Sequence, residues 1–235
     1  MKNKFLSRNP GKSDVKEFLG KLDKMPVVRK AETRGRLIFA MDATQSREPA
    51  WDRACRIQAQ MFEVTNALGG LEVQLCYYHG FEIFHASAWS NQASVLLQQM
   101  TAVRCLAGHT QIDRLLEHAL AETKKQKVNA LVFIGDCMEE DGGYLCNLAG
   151  ESGILGLPLF IFHEGDEPGA AAVFRRMAKL SQGAYCRFDA GSAKHLGELL
   201  GAVAVYAAGG RQALDDYTSK HGTSVLQLSY QIKRD

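Results

Sequence analysis

The residues best suited to chemistry are oxygen donors, met in the order Asp42, Thr44, Ser46, Thr110 and Asp136. Asp42 closes the apolar run Arg36-Leu-Ile-Phe-Ala-Met41, and two hydroxyls follow it at two-residue intervals. In a loop leaving a strand, alternate side chains can point the same way, so these three oxygens are able to converge on one cation. Carboxylate and hydroxyl oxygens are hard ligands that suit Mg2+, Mn2+ or Ca2+ rather than zinc. Taken alone, the segment also reads as a helix cap, with Thr44 or Ser46 accepting from the next helix. Context adds to it. Thr110 stands in Gly108-His109-Thr110, just before a helical pattern, and Asp136 ends a second apolar run. The 26 residues from Thr110 to Asp136 leave room for one helix and one strand.

Other chemistries find less support. No glycine occurs between residues 36 and 68, so the loop is neither a dinucleotide fingerprint nor a phosphate-cradling Walker loop. Cys76, His79, His85 and Cys105 follow no zinc-site spacing, and no C-x-x-C pair exists, which leaves them structural roles. No histidine can be assigned to Ser46 from sequence, because triads are recognised by geometry. Cys137 differs from the other thiols. Its loop follows Asp136 and is expected to be exposed, where a neighbouring cation would lower the thiol pKa and permit redox sensing. Trp51 and Trp89 read as core or rim aromatics.

The elements that must position these residues alternate between strand and helix. Strands are expected at 36–42, 71–78, 81–86, 129–136, 157–163 and 184–188. Most are continuous apolar runs, as in parallel strands buried on both faces. Segment 81–86 follows its predecessor across a tight turn at His79-Gly80, so it should be an antiparallel edge strand. Helices are expected at 48–68, 92–103, 111–126, 143–155, 169–181 and 192–207. In 111–126, for example, Ile112, Leu115, Leu116, Ala119 and Leu120 recur at helical spacing. This order predicts one doubly wound α/β domain over residues 36–208, with a mostly parallel sheet and helices on both faces. Ligands of such sheets sit beyond the carboxyl ends of the strands, where Asp42 and Asp136 fall.

Residues 1–35 form a basic arm. Through Arg36 the chain holds 11 Lys and Arg against 4 Asp and Glu, whereas the remainder holds 17 against 22. Within the arm Asp14-Val-Lys-Glu17 reads as a capping box, and Val15, Phe18, Leu19, Leu22 and Met25 share a helical face before Pro26. The arm carries no nucleic-acid motif, so nucleic acid is not expected as the main ligand. Residues 209–235 form an extension that begins polar and ends with Leu226, Leu228, Tyr230 and Ile232 in strand-like alternation. The polar, basic start and the lack of an apolar stretch of 18 residues predict neither a leader nor a membrane span. Scattered free thiols then point to the reducing cytoplasm.

The ordered set Asp42-x-Thr44-x-Ser46, Thr110 and Asp136 resembles the metal-ion-dependent adhesion site of von Willebrand factor type A (vWA) domains. The resemblance spans about residues 35–208 and is nearest to small, stand-alone bacterial intracellular vWA proteins. It implies that Thr44 and Ser46 bind a Mg2+, Mn2+ or Ca2+ ion directly. Thr110 would bind directly or through water, and Asp42 and Asp136 would orient hydroxyls and coordinated waters. It further implies a non-enzymatic adaptor that binds a partner protein through the partner's Asp or Glu, in some cases within assemblies containing AAA+ ATPases. Three departures stand out. Thr44 replaces the commoner serine, and His109 and Cys137 replace usual glycines. Glu139, Glu140 and Asp141 add negative charge that would alter ion preference or repel an acidic partner. The competing expectation is a metal-dependent hydrolase or phosphoryl-transfer enzyme on a related fold, with Asp42 positioning the metal or attacking. Against it, the strand-end loops offer no general base and no Lys or Arg to stabilise a transferring phosphoryl group; Arg47 is the one nearby cation.

Overall fold

The computed structural model describes residues 34–65, 69–165, 167–188 and 193–220. The expected helix within 1–35 and the expected strand at 226–232 lie outside the described residues. In chain order the elements are β1 (Gly35–Asp42), a 3-10 turn (Gln45–Arg47), α1 (Glu48–Ile57), α2 (Ala59–Thr65), β2 (Leu71–His79), β3 (Ile83–Ala86) and α3 (Ala93–Thr101). There follow α4 (Ile112–Lys125), β4 (Ala130–Gly135), α5 (Gly142–Ile154), β5 (Leu159–Glu164), α6 (Pro168–Leu180), β6 (Ala184–Phe188) and α7 (Ala193–Lys220).

The strands form one sheet in the order β3-β2-β1-β4-β5-β6. All neighbours run parallel except β3, which pairs antiparallel with β2 at the edge, as the sequence predicts. The alternation within β1 shows why its run is apolar throughout. Leu37, Phe39 and Met41 face a core shared with α1, α2, α3 and α7, while Ile38 and Ala40 face the core under α4, α5 and α6. A strand covered on both sides has no face to leave polar. Fully buried Phe39, Phe133, Phe160, Phe162 and Phe174 anchor the two layers. Burial of each such side chain is worth about 1.5–3 kcal/mol.

The strand order reverses at β1. The chain moves from β1 outward to β2 and β3, then returns to place β4 on the other side of β1. The carboxyl ends of β1 and β4 are therefore adjacent, and the loops leaving them diverge into a crevice. Asp42 and Asp136 reach it from two different strands.

Two helices depart from expectation. The segment 48–68 is two helices rather than one, broken at Gln58. Gln58 keeps helical angles (φ −60, ψ −30), so the break is a slip in the hydrogen-bond ladder that leaves Ile57 and Met61 on the same core. The helix expected at 192–207 does not stop at Gly209-Gly210. It continues to Lys220 through a kink at Gly210 (φ 69, ψ −163). The polar stretch that followed is one face of a helix whose other face buries Leu214 (1% exposed) and Thr218 (7%).

Candidate functional site

Asp42 is the last residue of β1 and is 0% exposed. Its Oδ1 accepts the Thr44 N–H at 2.7 Å, which turns the chain immediately after the strand. The loop is pinned on both sides. The Ala43 N–H donates to the Tyr78 carbonyl at 3.0 Å, and the Ala43 carbonyl accepts from Leu106 N at 3.0 Å. Thr44 precedes the 3-10 turn, yet no side chain caps that turn or α1. Pro49 in the first turn of α1 has no N–H to satisfy, which lowers the demand for a cap. The hydroxyls are used elsewhere. Thr44 Oγ1 and Ser46 Oγ lie 3.5 Å apart, and Ser46 Oγ donates to Asp136 Oδ2 at 3.2 Å. Asp42, Thr44, Ser46 and Asp136 thus form one chain of oxygen atoms across the β1–β4 crevice.

Thr110 belongs to a neighbouring cluster. Its hydroxyl donates to Glu140 Oε2 at 2.6 Å and accepts the Glu139 N–H at 2.9 Å. Glu139 Oε2 accepts the Thr110 N–H at 3.2 Å and lies 2.7 Å from His109 Nδ1. Glu140 also accepts the Ile112 N–H at the start of α4. With His109, these residues line an open depression of about 520 Å3. The two clusters meet around Tyr78. Its buried hydroxyl makes no hydrogen bond, and burial together with Asp42, Glu140, Cys137 and Asp136 pushes its ionisation well up. Of the acidic run expected to repel a partner, Glu139 and Glu140 turn toward Thr110, and Asp141 caps α5 by accepting from Tyr144 N at 2.7 Å.

The 108–110 loop is held by close backbone approach. His109 N donates to the Gly80 carbonyl at 3.2 Å, and a Cβ on Gly108 would sit 1.9 Å from that same oxygen. Gly108→Ala should therefore displace the loop that carries Thr110 and destabilise the fold by about 2 kcal/mol or more. Chemical denaturation would detect this, and an unchanged midpoint would contradict the packing described.

Electrostatics follow from burial. Desolvation pushes the Asp42 carboxyl up to about 6; Asp136 adds to the rise, whereas the Thr44 hydrogen bonds and Arg47 oppose it. Cys137 is pushed up to about 12, first by burial and then by Asp136, Asp42 and Glu139. The protein's own groups thus oppose the thiolate that redox sensing at Cys137 would need, because Cys137 is half-buried among carboxylates.

Sequence reading noticed Arg47 only as a nearby cation and missed three other residues at the site. Arg47 is 3% exposed, with Nη2 at 2.6 Å from Glu164 Oε2 and Nη1 at 3.7 Å from Asp136 Oδ2. His163 is 0% exposed, with Nε2 at 2.9 Å from the Asp136 carbonyl and Nδ1 at 2.8 Å from the Tyr185 hydroxyl. A carbonyl only accepts, so Nε2 carries the proton and Nδ1 accepts from Tyr185. The third missed residue is Tyr78. His163 ends the expected strand 157–163, so its place at the rim was legible, while its bond to Asp136 had no sequence signal.

The donor set fits a hard divalent cation. Asp42 Oδ2 and Asp136 Oδ1 are buried and make no hydrogen bond, and the adjacent hydroxyls are free of capping duty. Buried carboxylate oxygens without partners are costly unless a cation or water satisfies them. Among the described residues, no group of three or more His, Cys, Asp or Glu is placed to hold a metal, so hydroxyls must take part in any such site. The residues considered for zinc are structural. Cys76 is buried, His79 Nδ1 lies 2.9 Å from the Arg104 carbonyl, and His85 stacks on Tyr77.

No family model matches the chain, and no curated protein matches it in sequence. Solved structures do resemble it. The VWA domain of SpRpn10 is 11% identical with a TM-score of 0.54, over 70% of this chain and 95% of that one. The vWF domain of the type V pili tip protein Mfa5 from Porphyromonas gingivalis is 11% identical with a TM-score of 0.53, over 73% and 95%. The PilB minor pilin from Streptococcus sanguinis is 9% identical with a TM-score of 0.52, over 82% of this chain and 64% of that one. Such identities speak to the fold alone, and the fold is vWA-like, a mostly parallel α/β sheet with one antiparallel edge strand.

Proposed function

We propose that this chain is a non-enzymatic protein-interaction domain that binds a partner through a divalent cation held at the carboxyl ends of β1 and β4. The observation that carries this reading is the convergence of Asp42, Thr44, Ser46 and Asp136, with one buried oxygen of each carboxylate making no hydrogen bond beside two hydroxyls that cap no helix. Thr44 and Ser46 would hold Mg2+, or Mn2+ or Ca2+, through their hydroxyls, with Asp42 and Asp136 holding its waters. Thr110 would contribute through water, because its oxygen lies in the neighbouring cluster and already accepts the Glu139 N–H. When bound, the cation offers an open coordination position to an Asp or Glu of the partner.

The finer assignment, a bacterial cytoplasmic adaptor working within an AAA+ ATPase assembly, rests on the sequence resemblance. All six cysteines are free, which accords with a reducing compartment. Among the described residues no helix is long and apolar enough to cross a membrane. The hydrolase alternative loses its one candidate phosphoryl clamp, since Arg47 is buried against Glu164 and Asp136.

Affinity capture tests the proposal. Wild-type protein should retain a partner in Mg2+ and release it in EDTA, and Ser46→Ala should retain none in either. Retention that ignores both EDTA and Ser46→Ala would refute cation-dependent binding. Metal-dependent phosphoester turnover abolished by Asp42→Ala would favour the enzyme instead.

A further inference from the structure

Tyr78 of β2 is the register partner of Asp42 in β1, and its carbonyl accepts the Ala43 N–H. Its side chain lies with Ile38, Ala40, Cys76 and Phe133 in the core under α4, α5 and α6. Strand alternation turns Asp42 to that same face. The Tyr78 ring is 1% exposed and tilts against Phe133 with centroids 6.4 Å apart. Phe would bury such a ring equally well. What Tyr adds is a hydroxyl, and this one is buried without a hydrogen bond. An unsatisfied buried hydroxyl lowers stability, so packing gives no reason for it.

Its surroundings supply one. Asp42, Glu140, Cys137 and Asp136 all act on the phenol, which places it between the Asp42–Asp136 pair and the Thr110–Glu140 cluster. Asp42 Oδ2 is likewise buried and without a hydrogen bond. A phenol and a carboxylate on paired residues form a strong hydrogen bond when they serve only each other. Here both stay unpaired, the arrangement expected where a third group fits between them. Burial and the acidic neighbours oppose ionisation of the phenol, so it keeps its proton and can donate and accept at once.

We propose that Tyr78 is a positioning residue of the cation site: its hydroxyl accepts from a water of the bound ion and donates to Asp42, holding that water in place. The inference rests on the cation-site reading above and adds to it an uncharged residue that does not touch the ion. Groups one step removed from a metal set its affinity by about ten- to a hundredfold. The signs of substitution follow. Loss of the hydroxyl relieves the metal-free protein of an orphaned polar atom and deprives the metal-bound protein of a hydrogen bond. Tyr78→Phe therefore stabilises the metal-free fold, or leaves it unchanged, while it weakens metal binding. A hydroxyl that braced the fold would move both in the same direction.

The test is Mn2+ titration of the chelator-treated full chain, reading free Mn2+ by electron paramagnetic resonance, beside urea denaturation of each protein in EDTA. Tyr78→Phe should bind Mn2+ roughly tenfold weaker than wild type or more, yet unfold in EDTA at an equal or higher urea midpoint. Tyr77→Phe, whose ring lies on the opposite face of the sheet against Trp51, should bind as wild type does. If wild type binds Mn2+ and Tyr78→Phe binds it as tightly, the inference is overturned and the cation site stands. A lower EDTA midpoint for Tyr78→Phe, or its failure to fold, would mark the hydroxyl as a brace of the fold and also overturn the inference. If no folded protein in the set binds Mn2+, the cation site falls and takes the inference with it.

Discussion

As pH rises from 3 to 7, metal-free wild type should lose about 3 kcal/mol of stability relative to Asp42→Asn. Burial holds the Asp42 carboxyl at about 6 in the folded protein, against 3.8 for an ordinary aspartate. Each unit of difference is worth about 1.4 kcal/mol. The sign follows from proton counting. Between about pH 4 and 6 the folded protein keeps the Asp42 proton while the unfolded chain has released it. The folded state binds more protons there, so its stability falls as pH rises through that window. Below it both states are protonated, and above it the native state carries a buried carboxylate. Asn carries no such charge, so its constant packing offset cancels when the two pH profiles are compared by urea denaturation. For a domain of this size the change corresponds to a relative shift in melting temperature on the order of 5–10 °C. A divalent cation competes with the same proton, so stabilisation by Mg2+ should grow as pH rises through about 6. Parallel profiles for wild type and Asp42→Asn would show that Asp42 is not desolvated as described.

His163→Leu should lower stability by about 2–5 kcal/mol and impair the cation site without touching a proposed ligand. Leu is close in volume and suits the apolar surroundings, where Phe174 meets the imidazole edge to face with ring centroids 5.3 Å apart. What it lacks is the Nε2–H that reaches the Asp136 carbonyl at 2.9 Å and the Nδ1 that accepts from Tyr185. Loss of a buried partner leaves the carbonyl to bear its desolvation cost, about 1–3 kcal/mol for one group. The chain at Asp136 is also released from β5, so the carboxylate that accepts from Ser46 loses its fixed position. His163→Gln, which can still present an N–H, should recover part of both effects. Equal urea midpoints for wild type and His163→Leu would remove His163 from the account.

The sheet was legible because its physics is local. Strands buried on both faces write continuous apolar runs, and β1, β2, β4, β5 and β6 all fall within two residues of expectation at each end. The antiparallel pairing of β3 with β2 at the sheet edge was legible from the tight turn between them, whereas the order of the other strands was not read from the sequence. The end of α7 was misread because Gly209-Gly210 normally stops a helix, whereas here one kink is tolerated and Leu214 returns to the core. At the site, Asp42, Thr44, Ser46 and Asp136 could be picked out because they end apolar strand runs or follow them in the loop. Thr110 was picked out as well, but its pairing with Glu139 and Glu140 could not be, since those residues read as negative charge that would alter ion preference or repel a partner. His163 and Glu164 support Asp136 from β5 through a backbone carbonyl and through Arg47, contacts that no spacing along the chain encodes.

The most direct test of the cation site is a melting curve of chelator-treated protein with and without millimolar Mg2+, for wild type and Ser46→Ala. The account predicts that Mg2+ raises the wild-type melting temperature, with about 2.7 kcal/mol gained at a hundredfold excess over Kd. It predicts no such rise for Ser46→Ala, whose fold in EDTA should match wild type. Absence of a shift in wild type with each of Mg2+, Mn2+ and Ca2+ would contradict it.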